Sequence, residues 1–219
     1  MPMVKIWDLP TRIFHWTLAL LILYQLSTSL LGEGPSETHL YVGYVITTLV
    51  LFRISWGFYG GTTSKFINFL YAPSTVLNYL FKKNSQNRQF FGHNPAGGYS
   101  VIFILASVAI QTITGMFCDD DIMLAGPLRS LVADDTTSII NQIHSINAWF
   151  LLGLITLHLV AITWHYFFKK DNIISPMVTG KKNAPATLDQ NINVQENLRR
   201  AALLLMLASL IVLSIMSQG

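Results

Sequence analysis

Two histidines, His144 and His158, stand fourteen positions apart in one apolar run, Ile143–Phe168. At 3.6 residues per turn and about 1.5 Å of rise, a helix sets them about 21 Å apart along its axis and roughly on one face. The run is long enough to cross a bilayer. One helix thus presents an imidazole near each membrane surface. Histidine is costly in a membrane and marks a functional position there by default. Two stacked metal centres of the haem kind explain the arrangement.

The scaffold that must position these rings is a polytopic membrane protein. Of 219 residues, 52% are hydrophobic and 11% are charged, and the soluble norm for charge is about 25%. Mean hydropathy is +0.46 and the pI about 9.0. The basic residues are scattered at segment ends, as topology signals are, so the net charge of +3 does not indicate nucleic acid as a partner. Cys118 is the lone cysteine. An intrachain disulfide and covalent c-type haem are therefore both excluded, and Cys118 reads as a small packing residue.

Five apolar segments stand out: Ile13–Leu31, Leu40–Tyr59, Gly98–Phe117, Ile143–Phe168 and Ala201–Met216. The first four have spanning length. The fifth is short, but flanking arginines can snorkel. The first run has no small-residue cleavage site and reads as a retained anchor. Ala72 to Phe81 reads as a short interfacial helix. Residues 171–197, rich in Asn, Pro and Lys, read as a flexible cytoplasmic linker to the fifth span. The expected organisation is a membrane domain over 1–170, this linker, and a C-terminal transmembrane helix within 198–219.

Orientation follows from the basic residues. Lys5 and Arg12 precede the first span; Lys65, Lys82, Lys83 and Arg88 follow the second; Lys169, Lys170, Lys181, Lys182, Arg199 and Arg200 follow the fourth. Loop 32–39 has no Lys or Arg, and loop 118–141 has five aspartates against Arg129. The N-terminus is therefore expected in the cytoplasm and, with five spans, the C-terminus in the periplasm.

With topology set, each histidine acquires a depth. His15 and His158 fall on the cytoplasmic side, His39 and His144 on the outer side. Any one of these rings alone is explained by interfacial packing. Four that pair by depth make two bis-histidine sites, and two axial imidazoles on haem iron make an electron carrier rather than an oxygen-binding site. Zinc and copper usually want further ligands, often acids or thiolates. Gly43, Gly115 and Gly153 lie within spans and would let a macrocycle approach the backbone, or simply let helices pack closely. His93 and His165 remain, both cytoplasmic, and would line a quinone headgroup site beside the inner haem, where a titratable group can exchange protons. Arg53 lies inside a span at the inner depth. Such an arginine wants an anionic partner, and an inner-haem propionate is a candidate.

These residues also carry a resemblance. Trp7-Asp8-Leu9-Pro10-Thr11-Arg12-Ile13-Phe14-His15-Trp16 resembles the W-D-x-P-x-R-x-x-H-W opening of the prokaryotic cytochrome b-561 family, which includes b-type subunits of nickel–iron hydrogenases. Arg53-Ile54-Ser55-Trp56-Gly57-Phe58, Gly92 to Gly98 and the histidine spacing of the fourth span match the same group over roughly residues 4–170. The resemblance implies an all-α integral membrane protein, a four-helix transmembrane bundle holding two non-covalent b haems, here with a fifth C-terminal helix. It implies His15 and His158 as ligands of the cytoplasmic-side haem and His39 and His144 as ligands of the outer one.

The expected function is electron transfer across a bacterial inner membrane, between quinone or quinol and a periplasmic redox protein such as a c-type cytochrome. Quinone reductase or quinol oxidase activity is left open. Expected partners are membrane lipid, quinone, that redox protein and, as a further candidate, a second copy of the chain. One rival is an anchor subunit of a larger, hydrogenase-like oxidoreductase. The other is a haem-free scaffold or transporter, although neither repeats nor broken helices are evident.

Overall fold

The computed structural model describes residues 3–32, 36–81, 90, 92–120, 124–183, 194 and 197–218. Lys82, Lys83, Arg88, Glu33 and Asp121, used above for orientation and loop charge, lie outside them. In chain order the elements are β1 (Met3–Lys5), α1 (Leu9–Leu30), α2 (Glu37–Tyr59), α3 (Phe66–Phe69), α4 (Pro73–Phe81), α5 (Pro95–Gly115), α6 (Asp134–Phe167), α7 (Ile174–Thr179), β2 (Lys181–Asn183) and α8 (Leu198–Met216), with a 3-10 turn at Arg129–Leu131. Five helices, α1, α2, α5, α6 and α8, are long and apolar enough to cross a membrane.

Side-chain caps start four of these helices upstream of their apolar runs. Asp8 accepts from Thr11 N at 2.7 Å, Ser36 from His39 N at 3.2 Å, Asn94 from Gly97 N at 2.7 Å and Asn197 from Arg200 N at 3.0 Å. Each satisfies a donor that the first helical turn leaves orphaned. Helix α6 has no such cap, but Asp134 and Asp135 sit in its first turn, where negative charge suits the helix dipole. Its 34 residues extend about 51 Å, far more than the roughly 30 Å hydrocarbon core. The surplus lies N-terminal to the apolar run, so the helix projects beyond the hydrocarbon core at that end.

Helix α2 is the hub, packing on α1, α5 and α8, while α5 packs on α6 and α4. The core joins Phe14, Leu18 and Ile22 of α1 to Ile46, Val50, Phe52 and Trp56 of α2, Leu105 and Val108 of α5, Leu151 of α6, and Ala201 and Ala208 of α8. Between α5 and α6, one turn from His144, buried Asn147 donates to Ser107 O at 2.9 Å and Gln111 Oε1 at 2.7 Å, and accepts from Ser107 Oγ at 3.0 Å. Interhelical polar bonds of this kind hold membrane helices together where burial of apolar surface gives no drive.

Helix α4 forms where the interfacial helix was expected, with Leu77, Leu80 and Phe81 exposed. The expected flexible linker is corrected in its first part. There α7 and β2 form, and β2 pairs antiparallel with β1 in the register Met3 with Asn183, Val4 with Lys182 and Lys5 with Lys181. The polar composition of the segment is that of a strand exposed to solvent, and its partner lies at the opposite end of the domain sequence.

Candidate functional site

The outer site is an apolar cavity of about 580 Å³, lined among others by His39, Gly43, Val108, Gly115, His144 and Leu151. His39 comes from the first turn of α2, held through its carbonyl by Gln25 Nε2 of α1 at 2.9 Å. His144 comes from α6. Their ring centres are 6.4 Å apart with planes at 66°. That separation leaves room for a metal held by one nitrogen from each ring at about 2.0–2.1 Å.

The other nitrogen of His144 is accounted for. Thr114 Oγ1 lies 2.9 Å from Nδ1 and is placed to donate its own proton to Ile110 O at 2.7 Å. With its proton on that carbonyl the hydroxyl is placed to accept from Nδ1–H, the tautomer that leaves Nε2 as the free lone pair. The glycines divide. A Cβ on Gly115 would stand 3.1 Å from His144 Cε1, so its role is to admit that ring, whereas a Cβ on Gly43 or Gly153 would meet open space. Cys118, Asp119 and Asp120 also line the cavity, but among the described residues no group of three or more His, Cys, Asp or Glu side chains is placed to hold a metal ion. Two facing imidazoles in an apolar cavity fit a bis-histidine haem.

The inner site gathers His15 of α1, His158 of α6, His93 of the α5 entry loop and Arg53 of α2. The His93 ring lies 4.7 Å from Trp7 and 4.6 Å from Phe69, centre to centre. Burial pushes the His93 imidazole down to about 3, helped by the neighbouring Arg53, His158 and His15. Arg53 is 3% exposed, stands 5.0 Å over the Phe66 ring and has a buried Nη1 with no hydrogen-bond partner. His15 Nδ1 and His93 Nδ1 are likewise buried and unpartnered. Unpartnered buried polar atoms are rare in folded proteins; the Arg53 Nη1 is a donor in any state and fits an anionic, hydrogen-bond-accepting group such as a haem propionate.

His165 lies near the end of α6, its Nδ1 also buried without a hydrogen-bond partner and its carbonyl accepting from Asp171 N at 3.1 Å. Its electrostatic neighbours are Asp171, Lys169 and Lys182, and none of these is a neighbour of His93. The structure thus brings His93 to the inner ligands and leaves His165 with the segment that follows α6.

Sequence reading missed the network that sets the start of α1. Asp8 is fully buried. Its carboxylate accepts from Thr11 N, from Ser64 Oγ at 2.6 Å and from Trp56 Nε1 at 3.3 Å. The Asp and Trp of the two quoted motifs meet here, seven residues before His15. Thr114 and Asn147 were missed as well; the signal was polar residues inside apolar runs, one helical turn or less from a glycine or a histidine.

In the outer loop, Arg129 is held by both Asp119 and Asp134 and donates to Val132 O at 3.0 Å. Gly126 folds back onto the end of α5, where a Cβ would lie 2.4 Å from Met116 O. Two of the acids are thereby committed to the loop's own structure, and Asp135 is exposed.

Neither a curated protein nor a solved structure matches the chain. A family model, prokaryotic cytochrome b561, matches residues 6–180, a stretch that takes in all six histidines and runs from the Trp7 motif through α7. With four spanning helices, the Trp7 and Arg53 motifs and two histidine sites inside that match, the chain belongs to the prokaryotic cytochrome b561 family.

Proposed function

We propose that this multi-pass membrane protein is a two-haem electron carrier between the quinone pool and a periplasmic redox protein. Members of its family bind haem b and move electrons in membranes. In this reading His39 and His144 hold the outer haem, and His15 and His158 hold the inner one. Haem iron supplies the one-electron chemistry. The chain supplies the ligands, an apolar surround and local charge: Arg53 faces an inner propionate, and His93 and His165 serve quinone on the cytoplasmic side. The N-terminus is cytoplasmic and the C-terminus periplasmic. The outer end, which the 118–141 loop covers, receives a c-type cytochrome or similar carrier.

The observation that carries the reading is the His39–His144 pair, 6.4 Å between centres, with the Nδ1 of His144 already engaged by Thr114. The test is reduced-minus-oxidised spectroscopy with haem quantified per purified chain. Wild type should hold two haems. His39→Ala should lose the outer one and His158→Ala the inner one. A b-type spectrum unchanged in both variants overturns the ligand assignment.

A further inference from the structure

Among the described residues, α1 packs on α2 and α6 packs on α5, but no comparable packing joins α1 to α6. Yet α1 carries His15 and α6 carries His158. Two helices that share one group, with so little packing between them, need something else to set their separation.

The segment after α6 bridges them. The chain leaves α6 through Lys170, whose φ of 54° turns it back, and Asp171 N bonds His165 O at 3.1 Å. It then crosses to the start of α1. Three of its carbonyls accept bonds there: Met177 O from Trp16 Nε1 at 3.2 Å, Val178 O from Arg12 Nη1 at 2.6 Å, and Gly180 O from Ile6 N at 2.8 Å and Trp7 N at 3.2 Å. The Arg12 and Trp16 donors bracket His15 in sequence. Strand β2 then pairs with β1, and Lys182 pairs with Asp171 at 2.7 Å, fastening the segment to its own beginning.

Gly180 is the point of closest approach. Its φ is +80°, a conformation side chains rarely adopt, and a Cβ there would lie 3.0 Å from Trp7 O and 3.2 Å from Arg12 Nε. A side chain at this position is strained by that φ and asks Trp7 or Arg12 to give by a few tenths of an ångström.

We infer that residues 171–183 are a strap that sets the spacing of His15 and His158, with Gly180 and Arg12 as its positioning residues. The role rests on the reading that these two histidines share the inner haem. Among the described residues, these bonds of the strap run to α1, to β1 and Ile6 and Trp7 ahead of α1, and to the end of α6. The strap also makes the polar segment after the fourth span part of the cofactor site, by way of a clasp from the end of α6 to the first turns of α1.

The test uses the full-length purified protein and the electron paramagnetic resonance signals of its oxidised low-spin haems, whose g values report the mutual angle of the axial imidazoles. His158→Ala first identifies which signal is the inner one. Gly180→Ala, Gly180→Val and Arg12→Gln are then compared. The expected result is a graded shift of the inner signal, larger for Val than for Ala. With it, inner-haem affinity should fall by about tenfold or more, as for loss of a partner that orients a ligand. The outer signal should stay in place. Equal disturbance of both signals marks a general loss of folding and overturns the strap's role. So does an inner signal unchanged in all three variants. If His158→Ala itself removes neither signal, the shared-haem reading fails first and the strap falls with it.

Discussion

The hydroxyl of Thr114 sits 2.9 Å from Nδ1 of His144, across the α5–α6 interface. It fixes which nitrogen of that imidazole faces the cavity. Thr114→Val keeps the shape and removes the acceptor. Outer-haem affinity should fall by about 10–100-fold, while the inner haem remains. Thr114→Ser should restore most of it. Haem titration of the apoprotein, followed by difference spectroscopy, checks both.

The carboxylate of Asp8 caps α1 and takes protons from Ser64 and Trp56 in a site with no solvent access. Asp8→Ala strands these donors and removes the cap, at a cost of about 3 kcal/mol. Trp56→Phe, which withdraws one donor and keeps an aromatic ring, should cost about 1 kcal/mol. Thermal unfolding in detergent, followed by haem absorbance, should rank them in that order. Equal melting temperatures would show that the network is dispensable.

What the sequence made legible, and what it did not, divides along the range of the interactions. The five spanning helices were visible because a membrane demands long apolar runs. Their starts were not, since Asp8, Ser36, Asn94 and Asn197 cap from polar positions upstream. The depth pairing of His39 with His144 needed only topology, and the rings meet. The strap was hidden because its partner, β1, lies about 180 residues away in sequence and its own composition is that of a loop. His93 and His165 looked equivalent in one dimension. In space, the turn before α5 places His93 against Trp7 and Phe69, while His165 stays with Asp171 and Lys182.

Arg53 is 3% exposed, with Nη1 unpartnered. A fixed cation beside a redox centre stabilises the added electron. Arg53→Met should therefore lower the inner-haem reduction potential, and Arg53→Lys should recover part of the loss, a point charge being a poorer fit than a planar fork. Potentiometric titration resolves the two haems. A shift confined to the outer one would remove Arg53 from the inner site.

Cys118 is half-buried at the end of α5. Burial, with Asp119 beside it, pushes the thiol up to about 11. At pH 8 only about a thousandth of it is thiolate, the reactive form. Maleimide labelling of the folded protein should be slow at pH 8 and rise nearly tenfold per pH unit towards 11. Fast labelling at neutral pH would show an open outer loop.

The acids of loop 118–141 should separate into two kinds. Asp119→Asn removes one of the two carboxylates that hold Arg129 and should loosen the loop. Asp135→Asn removes an exposed charge and leaves that clasp intact. If a cationic carrier docks here, Asp135→Asn should slow electron exchange at low ionic strength with no loss of stability. Stopped-flow mixing with a basic c-type cytochrome across a salt series measures it. Insensitivity to both salt and substitution would make the loop a connector only.

Helix α6 carries one histidine for each of the two sites, fourteen residues apart on a single unbroken rod. The interval between the sites is therefore written into the backbone and not into the bilayer. A thicker membrane can tilt the rod but cannot stretch it. Internal electron exchange should thus keep the same rate in short-chain and long-chain lipids. The same rigidity restricts what evolution can do to this stretch. One residue added between His144 and His158 turns the second ring by about 100° and advances it about 1.5 Å, so the segment can hardly change in length.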